Sequence, residues 1–415
     1  MTLSEFRHGA PHGPGSSVTG NTPRTPGFGR GRALRPSGKV LPEYARGHNR
    51  ALVLQTLYQA GQLSRADIAR ETGLTRVTVS DLIGELIGDG VVVERGQREG
   101  SRPGKPATLL EIDRTAFQLI GIDLSPDDRF RGAVLEFDGT ILSTAEVPLN
   151  DATGPDATGP DAIAKVIALL TTLQSRTTAP VLGVGVGSPG VVDLGGVVLS
   201  APNLGWTDVP LQTILSNHAG VPVHVANDAN VATLAEHTFG SAFSDFMLIV
   251  VGHGVGAGLL IDGTPLFGSR FAAGEIGHVV VGTDGGARCV CGKNGCLETW
   301  LSVPSIRAAL KAAGCNNGTT SDQALCRDRI LRDAGQHLGI AVAPVVAALN
   351  LAEIVLSGPD DVLDGPLAEA ALETIRERTL PTFHGAVKLR TSDQGADIVL
   401  KGAAVLVLSA QLGVS

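Results

Sequence analysis

One histidine and three cysteines lie close together near the middle of this chain. They are His278, Cys289, Cys291 and Cys296. Several glycines separate them, so the backbone can turn tightly around a small centre. One imidazole and three thiolates in this arrangement suit a closed tetrahedral zinc site, in which the metal has a structural role. The sequence therefore predicts a structural Zn²⁺ site over residues 278–296.

Two carboxylates bracket this cluster in the sequence. Glu275 precedes His278, and Glu298 follows Cys296. Carboxylate oxygens are harder ligands than zinc requires when three thiolates and an imidazole are present. Both side chains are therefore available for another role.

A polar segment, Asn227-Asp228-Ala229-Asn230, lies between a short predicted strand at residues 222–226 and a predicted helix that runs to Phe239. Ligands of α/β folds bind at the carboxyl ends of strands, which favours a ligand-binding role. The alternative is that Asn227 or Asp228 only caps the helix. Capping alone does not call for three polar residues in four, although both roles can coexist.

The pattern around these residues is that of an α/β domain. Apolar runs at residues 117–123, 131–137 and 141–147 predict a three-stranded meander. A helix at 161–173 and a strand at 181–186 follow, and a further strand at 246–251 opens a second lobe. We therefore expect a two-lobed α/β domain with a mixed sheet over residues 113–415.

Residues 41–112 have the pattern of a winged helix-turn-helix. Three helical segments are separated by Gly61 and Gly73, and Thr75 is placed to cap the third. A hairpin loop at 95–106, rich in Arg, Lys, Gly and Pro, then joins two short apolar strands. The third helix would enter the major groove of DNA and the loop would form the wing.

The candidate DNA contacts lie at the start of the third helix and in the wing. They are Arg76, Val77, Thr78, Ser80, Arg102 and Lys105. The alternative is a three-helix interaction module with a solvated loop, because residues 41–112 carry nine basic and nine acidic side chains. The concentration of basic residues at these two places favours DNA.

Composition agrees with a DNA-binding end and an acidic remainder. The net charge of the 415 residues is −8, but residues 1–112 hold fifteen Lys and Arg against ten Asp and Glu. Residues 1–40 are rich in Gly, Pro, Ser and Arg and predict a disordered basic arm. The longest apolar region, at 338–356, is interrupted by polar residues and Pro344, and no secretory signal is apparent, so we expect a cytoplasmic protein.

Several stretches together resemble the ROK family (repressor, open reading frame, kinase), specifically its branch of transcriptional repressors. They are residues 188–193, 201–206, 227–230, 274–278 and 289–298. The resemblance implies a winged helix joined to a two-lobed, actin-like or ribonuclease H-like domain of the sugar-kinase type. It implies zinc ligation by the cluster described above. The implied sugar-binding residues are Asn203, Asn227, Asp228, Glu275, His278 and Glu298.

The chain departs from the family's kinases at both phosphate loops. The kinases carry Asp-x-Gly-Gly-Thr, whereas Asp123 is followed here by Leu124-Ser125-Pro126-Asp127, and His253 replaces a threonine in the second loop. Proline offers no N–H to a phosphate, so we expect poor nucleotide binding. Asp228 resembles the catalytic base of the kinases and would be catalytic only if the protein were one.

We therefore expect a non-catalytic, sugar-responsive repressor that binds operator DNA as a homodimer or homotetramer. The effector would be a sugar or sugar phosphate. One alternative is a ROK sugar kinase that phosphorylates a hexose with ATP and carries an appended DNA-binding domain. Another is a regulator that has lost its sugar site and responds to a protein partner.

Overall fold

The computed structural model describes residues 45–97, 107–150, 157–282, 286–315, 320–380 and 387–415. The arm predicted at residues 1–40, and Arg102 and Lys105 of the wing, lie outside these ranges. The helices are α1 (Ala45–Ala60), α2 (Arg65–Thr72), α3 (Arg76–Gly88), α4 (Gly159–Gln174), α5 (Leu211–Ala219), α6 (Asp228–Phe239), α7 (Glu298–Leu301), α8 (Val303–Ala312), α9 (Ser321–Leu349), α10 (Asp360–Leu363), α11 (Pro366–Arg378) and α12 (Ile398–Leu412).

The strands fall into four sheets. They are β1 (Leu63–Ser64), β2 (Val92–Gln97), β3 (Thr108–Ile112), β4 (Gln118–Asp123), β5 (Arg129–Leu135), β6 (Ile141–Pro148), β7 (Val181–Ser188), β8 (Val191–Val192), β9 (Val198–Ala201), β10 (Trp206–Val209), β11 (Val223–Asn227), β12 (Phe246–Val251), β13 (Val255–Ile261), β14 (Thr264–Pro265), β15 (Glu353–Ser357) and β16 (Lys388–Thr391). The meander and the strand that opens the second lobe are confirmed.

The N-terminal elements form a winged helix, as the sequence predicts. Ser64 and Asp67 make a capping box at the start of α2, and the Thr75 side chain accepts from Thr78 N at the start of α3. Gly73 has a left-handed conformation (φ 70°) that ends α2 and turns the chain toward α3. Strand β3 pairs on either side with β1 and β2, so the base of the wing is a three-stranded sheet.

The two five-stranded sheets have the same topology, with strand orders β11-β7-β4-β5-β6 and β14-β13-β12-β15-β16. In each sheet the first strand pairs antiparallel with the second and parallel with the fourth. Lobe 1 is built on the first sheet and lobe 2 on the second. The turn between β4 and β5 is thus the counterpart of the turn between β12 and β13.

Two helices are exchanged between the lobes. Helix α6, which follows the last strand of lobe 1, packs against β12 and β13 of lobe 2, and α12 packs against β4 and β7 of lobe 1. The two helices also pack against each other, at a contact where a Cβ on Gly402 would overlap the Val231 carbonyl. Close backbone packing therefore depends on glycine at this crossing.

The helical segment Gly395–Leu412, which ends with α12, meets the length and composition of a membrane-spanning helix, but most of it is buried inside the protein. It is a core helix that joins the lobes. The apolar region at 338–356 forms the end of α9 and the buried strand β15, with Asn350 in the left-handed conformation between them.

The winged helix shares a hydrophobic core with lobe 1. The cluster combines Leu54, Leu57 and Ile83 of the winged helix with Leu119, Leu135 and Phe137 of lobe 1 and Leu408 and Leu412 of α12. Polar contacts reinforce it. The Gln55 side-chain amide donates to Ser415 O at 2.8 Å and accepts from Ser415 N at 2.9 Å, and Tyr58 Oη donates to Phe137 O at 2.8 Å.

Replacing Gln55 by alanine should weaken this attachment. The substitution leaves the buried Ser415 backbone without two hydrogen bonds, so the free energy of unfolding should fall by about 1–3 kcal/mol. Urea denaturation measures the change. Gln62→Ala is the control, since Gln62 bonds Glu111 at an exposed site. Equal effects of the two substitutions would contradict a structural role for the buried pair.

Candidate functional site

The ends of three neighbouring strands place polar groups at one edge of lobe 1. Asp123 at the end of β4 is level with Gly187, and Asn227 at the end of β11 is level with Ser188. Strand β7 lies between β4 and β11, so all three ends meet at the same edge. This is where an α/β sheet binds ligands.

Hydrogen bonds fix the side chains of Asn227 and Asp228 at the start of α6. The Asn227 side chain caps α6 by accepting from Asn230 N at 3.0 Å, and its Nδ2 donates to Gly190 O at 2.8 Å and Asp228 Oδ1 at 3.0 Å. Ala229 N donates to the same carboxylate oxygen at 2.8 Å. Asn227 therefore caps α6, and Asp228 is held in a fixed orientation by its neighbours.

Burial and other carboxylates change the protonation of this edge. Burial raises the pKa of Asp228 to about 7, and the Asp123 and Glu275 charges push in the same direction. Burial also raises the pKa of Asp123, against hydrogen bonds from the Ser125 N–H at 2.9 Å and hydroxyl at 2.6 Å. Burial raises the pKa of Glu275, against the charge of His278 and together with the charge of Glu298. A fraction of the Asp228 carboxyl groups is therefore neutral near pH 7.

The predicted metal ligands converge in the structure. One donor atom from each of His278, Cys289, Cys291 and Cys296 can be chosen so that all four lie within 4.8 Å of one another. The Cys291 and Cys296 sulfurs are 3.6 Å apart, and Cys289 Sγ is 3.5 Å from His278 Nδ1. Bonds of roughly 2.0–2.3 Å at tetrahedral angles give donor separations of about 3.5–3.8 Å, so the cluster fits a four-coordinate metal ion.

The two flanking carboxylates lie beside this cluster. Glu298 Oε2 accepts from Val255 N at 3.2 Å, and its Oε1 is 3.7 Å from Cys289 Sγ. Glu275 precedes the single 3-10 turn that carries His278. Asn203 lies on another such turn and is exposed. Within the described ranges no hydrogen bond joins its side chain to the rest of the set.

The turns after β4 and β12 contact each other across the lobes. His253 Nδ1 lies 2.5 Å from Asp127 Oδ2. His253 is in the turn between β12 and β13, and Asp127 is in the corresponding turn of lobe 1. Both residues line an open cleft of about 310 Å³ together with Asp128 and Asn150. The sequence showed two separate departures from a phosphate loop but nothing that joined them, because no local pattern links residues 126 positions apart.

The described candidates for DNA contact lie at the start of α3. Arg76, Val77 and Ser80 are exposed, Val77 by 70%, and Thr78 is half-buried. The Thr78 hydroxyl lies 2.9 Å from that of Thr75, so it belongs partly to the helix cap. No ion pair with a described residue engages Arg76, whereas Arg65 pairs with Glu94.

Comparison with known proteins assigns the family. The model of the ROK family matches residues 119–410. The chain belongs to the ROK family. A xylose repressor of Caldicellulosiruptor bescii is 29% identical over 395 residues, covering 88% of this chain and 96% of the relative. A glucokinase of Halalkalibacterium halodurans is 30% identical over 313 residues, covering 69% of this chain and 94% of the relative.

A solved structure extends the match of this ROK protein to its DNA-binding end. The crystal structure of a ROK family transcriptional regulator, described as a homolog of the E. coli MLC protein, has a TM-score of 0.76 and 26% identity. It covers 89% of this chain, and the chain covers 97% of it. The regulators thus match most of the ROK chain, while the glucokinase matches a smaller share.

Replacing Asp228 by asparagine should change the pH dependence of stability. Because the pKa is raised from 3.8 to about 7, the folded protein binds more protons than the unfolded chain between these values, and stability falls as pH rises through them. Asp228→Asn removes this loss, so its gain in melting temperature over wild type should be larger at pH 8 than at pH 5. Thermal unfolding at the two pH values is the measurement.

Asp161→Asn is the matched control, since Asp161 is exposed at the start of α4. It should shift the melting temperature equally at both pH values. An equal shift for Asp228→Asn as well would indicate an ordinary pKa for Asp228.

Proposed function

We propose that this protein is a sugar-responsive transcriptional repressor of the cytoplasm. It binds operator DNA through the winged helix, and a sugar held between the lobes changes its affinity for the operator. The observation that carries this conclusion is the joining of a winged helix to a sugar-kinase-like domain whose two phosphate loops contact each other. Its similarity to a xylose repressor and to a ROK transcriptional regulator supports the same function.

The surface of α3 supports DNA recognition. Its first turn presents an arginine with no described ion-pair partner and an exposed valine. A guanidinium suits a phosphate or a guanine edge, and a small apolar side chain suits the methyl group of thymine. We assign Arg76, Val77, Thr78 and Ser80 to this contact, with Arg102 and Lys105 of the wing beside it.

The polar set at the cleft supports sugar binding. Carboxylates and amides can pair with adjacent hydroxyl groups, and leaving them unpaired disfavours the wrong sugar. We assign Asn203, Asn227, Asp228, Glu275, His278 and Glu298 to this role. These residues come from both lobes, so a bound sugar would favour lobe closure.

The His253–Asp127 contact supports a function without phosphoryl transfer. A nucleotide phosphate needs N–H donors and positive charge, but this cleft is lined by Asp127 and Asp128. Pro126 removes a further donor. In addition, the raised pKa of Asp228 leaves a share of its carboxyl groups protonated at pH 7. A protonated carboxyl cannot accept a proton from a sugar hydroxyl, although it can still hydrogen-bond one.

We propose that the metal is structural zinc, held by His278, Cys289, Cys291 and Cys296. Three thiolates and an imidazole favour zinc over harder cations and leave no open position for catalysis. The ion would hold the segments that carry Glu275 and Glu298 in place. If His278 binds zinc through Nδ1, its other ring nitrogen is available to a sugar hydroxyl.

The shared core supports a direct route from sugar to DNA. The winged helix is packed on lobe 1. Closure of lobe 2 against lobe 1 therefore also moves lobe 2 relative to the winged helix. In a homodimer or homotetramer this motion would change the spacing or angle of paired winged helices on a repeated operator. Loss of repression on sugar binding is the expected direction.

Operator binding tests the proposal. Gel shifts on the DNA upstream of the protein's own gene should show a complex that a sugar from a panel of pentoses and hexoses weakens. Arg76→Ala should reduce DNA affinity by roughly tenfold or more. Arg307→Ala, an exposed arginine on α8, should leave it unchanged. Normal binding by Arg76→Ala would show that the contact surface lies elsewhere.

The alternative function is that of a sugar kinase, which the similarity to a glucokinase and the position of Asp228 favour. A coupled phosphorylation assay distinguishes it from a repressor without catalytic activity. The zinc-loaded protein with Mg-ATP and the same sugars should give no turnover. Turnover that is lost in Asp228→Asn would overturn the non-catalytic assignment.

Removal of one metal ligand should separate the two functions. Cys291→Ser replaces an exposed ligand, so the zinc content should fall from about one ion per chain and the response to sugar should be lost before operator binding. Elemental analysis and gel shifts measure the two effects. Cys326→Ser, outside the cluster, is the control. Parallel loss of both functions in Cys291→Ser would instead indicate unfolding.

A further inference from the structure

Four carboxylates, two from each lobe, lie in or next to the proposed sugar site. Asp123 and Asp228 come from the strand ends of lobe 1, and Glu275 and Glu298 come from lobe 2. We propose that this site selects an unphosphorylated sugar and rejects its phosphate esters. The inference rests on the sugar-binding function proposed above and narrows the class of effector.

The two lobe 1 carboxylates form one unit. The Ser125 hydroxyl is 2.6 Å from Asp123 Oδ1, and the same hydroxyl interacts with the Asp228 side chain. Ser125 stands where the kinases of the family have glycine, so this connection is a property of the altered loop. A hydroxyl has one proton and can donate to only one carboxylate at a time. The second carboxylate therefore stays without that donor whenever both are ionised.

The lobe 2 carboxylates add charge of the same sign. The Glu275 charge acts on Asp228, and the Glu298 charge acts on Glu275. The four groups are thus coupled in a chain across the cleft. A zinc ion bound by three thiolates and a neutral imidazole would carry a net charge of about −1, so the metal centre would not offset them.

Two positive side chains act on these carboxylates, Arg131 on Asp123 and His278 on Glu275. Arg131 is the cation that acts on Asp123, but its guanidinium lies 2.6 Å from Asp397 and 3.4 Å from Glu146. In the described part of the chain no Lys or Arg forms an ion pair with Asp228, Glu275 or Glu298. Arg131 is therefore already paired, and a His278 that binds zinc would be a neutral ligand.

These negative charges attract a hydroxyl donor and repel a phosphate group. A sugar hydroxyl donates to a carboxylate, and such charge-assisted hydrogen bonds are short and strong. A phosphate monoester carries about −1.5 to −2 at pH 7 and has only acceptor oxygens. Repulsion by several carboxylates in a partly enclosed site should weaken an ester by about tenfold or more relative to the free sugar.

Calorimetric titration of the zinc-loaded full chain with matched pairs tests the proposal. The probes are glucose with glucose 6-phosphate, N-acetylglucosamine with its 6-phosphate, and xylose with its 5-phosphate. The free member of a binding pair should bind about tenfold or more tightly than its ester. An ester that binds equally or more tightly overturns the selectivity but leaves the sugar-binding function intact. Binding of no probe overturns both.

A charge variant tests the cause of the selectivity. Asp123→Asn keeps an acceptor for Ser125 and removes one charge, so the ratio of sugar affinity to ester affinity should fall several-fold. Glu373→Gln removes an equal charge from the exposed face of α11 and should leave the ratio unchanged. Because a ratio is compared within each variant, a modest loss of stability does not obscure it. An unchanged ratio in Asp123→Asn overturns the electrostatic cause.

Discussion

The architecture depends on the crossing of α6 and α12 between the two sheets. Each helix is supplied by one lobe and packs on the sheet of the other, so one face of each sheet is covered by a helix from the opposite lobe. The crossing needs close backbone contact, which Gly402 allows at the Val231 carbonyl. Because α6 begins at Asp228 and α12 ends in the core of the winged helix, the same pair of helices connects the candidate sugar site to the DNA-binding end.

Duplication of the sheet topology explains why the turns that hold Asp127 and His253 meet. The turns after β4 and β12 are equivalent positions in two similar sheets, and the lobes face each other across the cleft. A nucleotide phosphate held between such turns would be bound by both lobes. Here a histidine and an aspartate from the two turns contact each other directly, so a connection between the lobes at this place needs no nucleotide.

Local chemistry explains which parts of the structure could be predicted from the sequence. The metal cluster, the caps at Ser64 and Thr75 and the strands of the meander depend on residues close in sequence, and their patterns identify them. The contact between Asp127 and His253 and the one between Gln55 and Ser415 depend on the packing of distant segments. No periodicity marks such pairs. Helix α12 likewise packs against β4, β7 and α6, which are distant from it in sequence.

The common core of the winged helix and lobe 1 has a mechanical consequence. A DNA-binding head on a flexible tether can search for its half-site independently, and a ligand can act on it only by restraining it. A head fused to one lobe by Leu54, Leu119 and Leu412 moves as a lever arm fixed to that lobe. A small rotation of lobe 1 at the cleft then produces a larger displacement at the far end of the winged helix. The rigidity of its interior then limits which spacings and angles of DNA half-sites such a protein can fit.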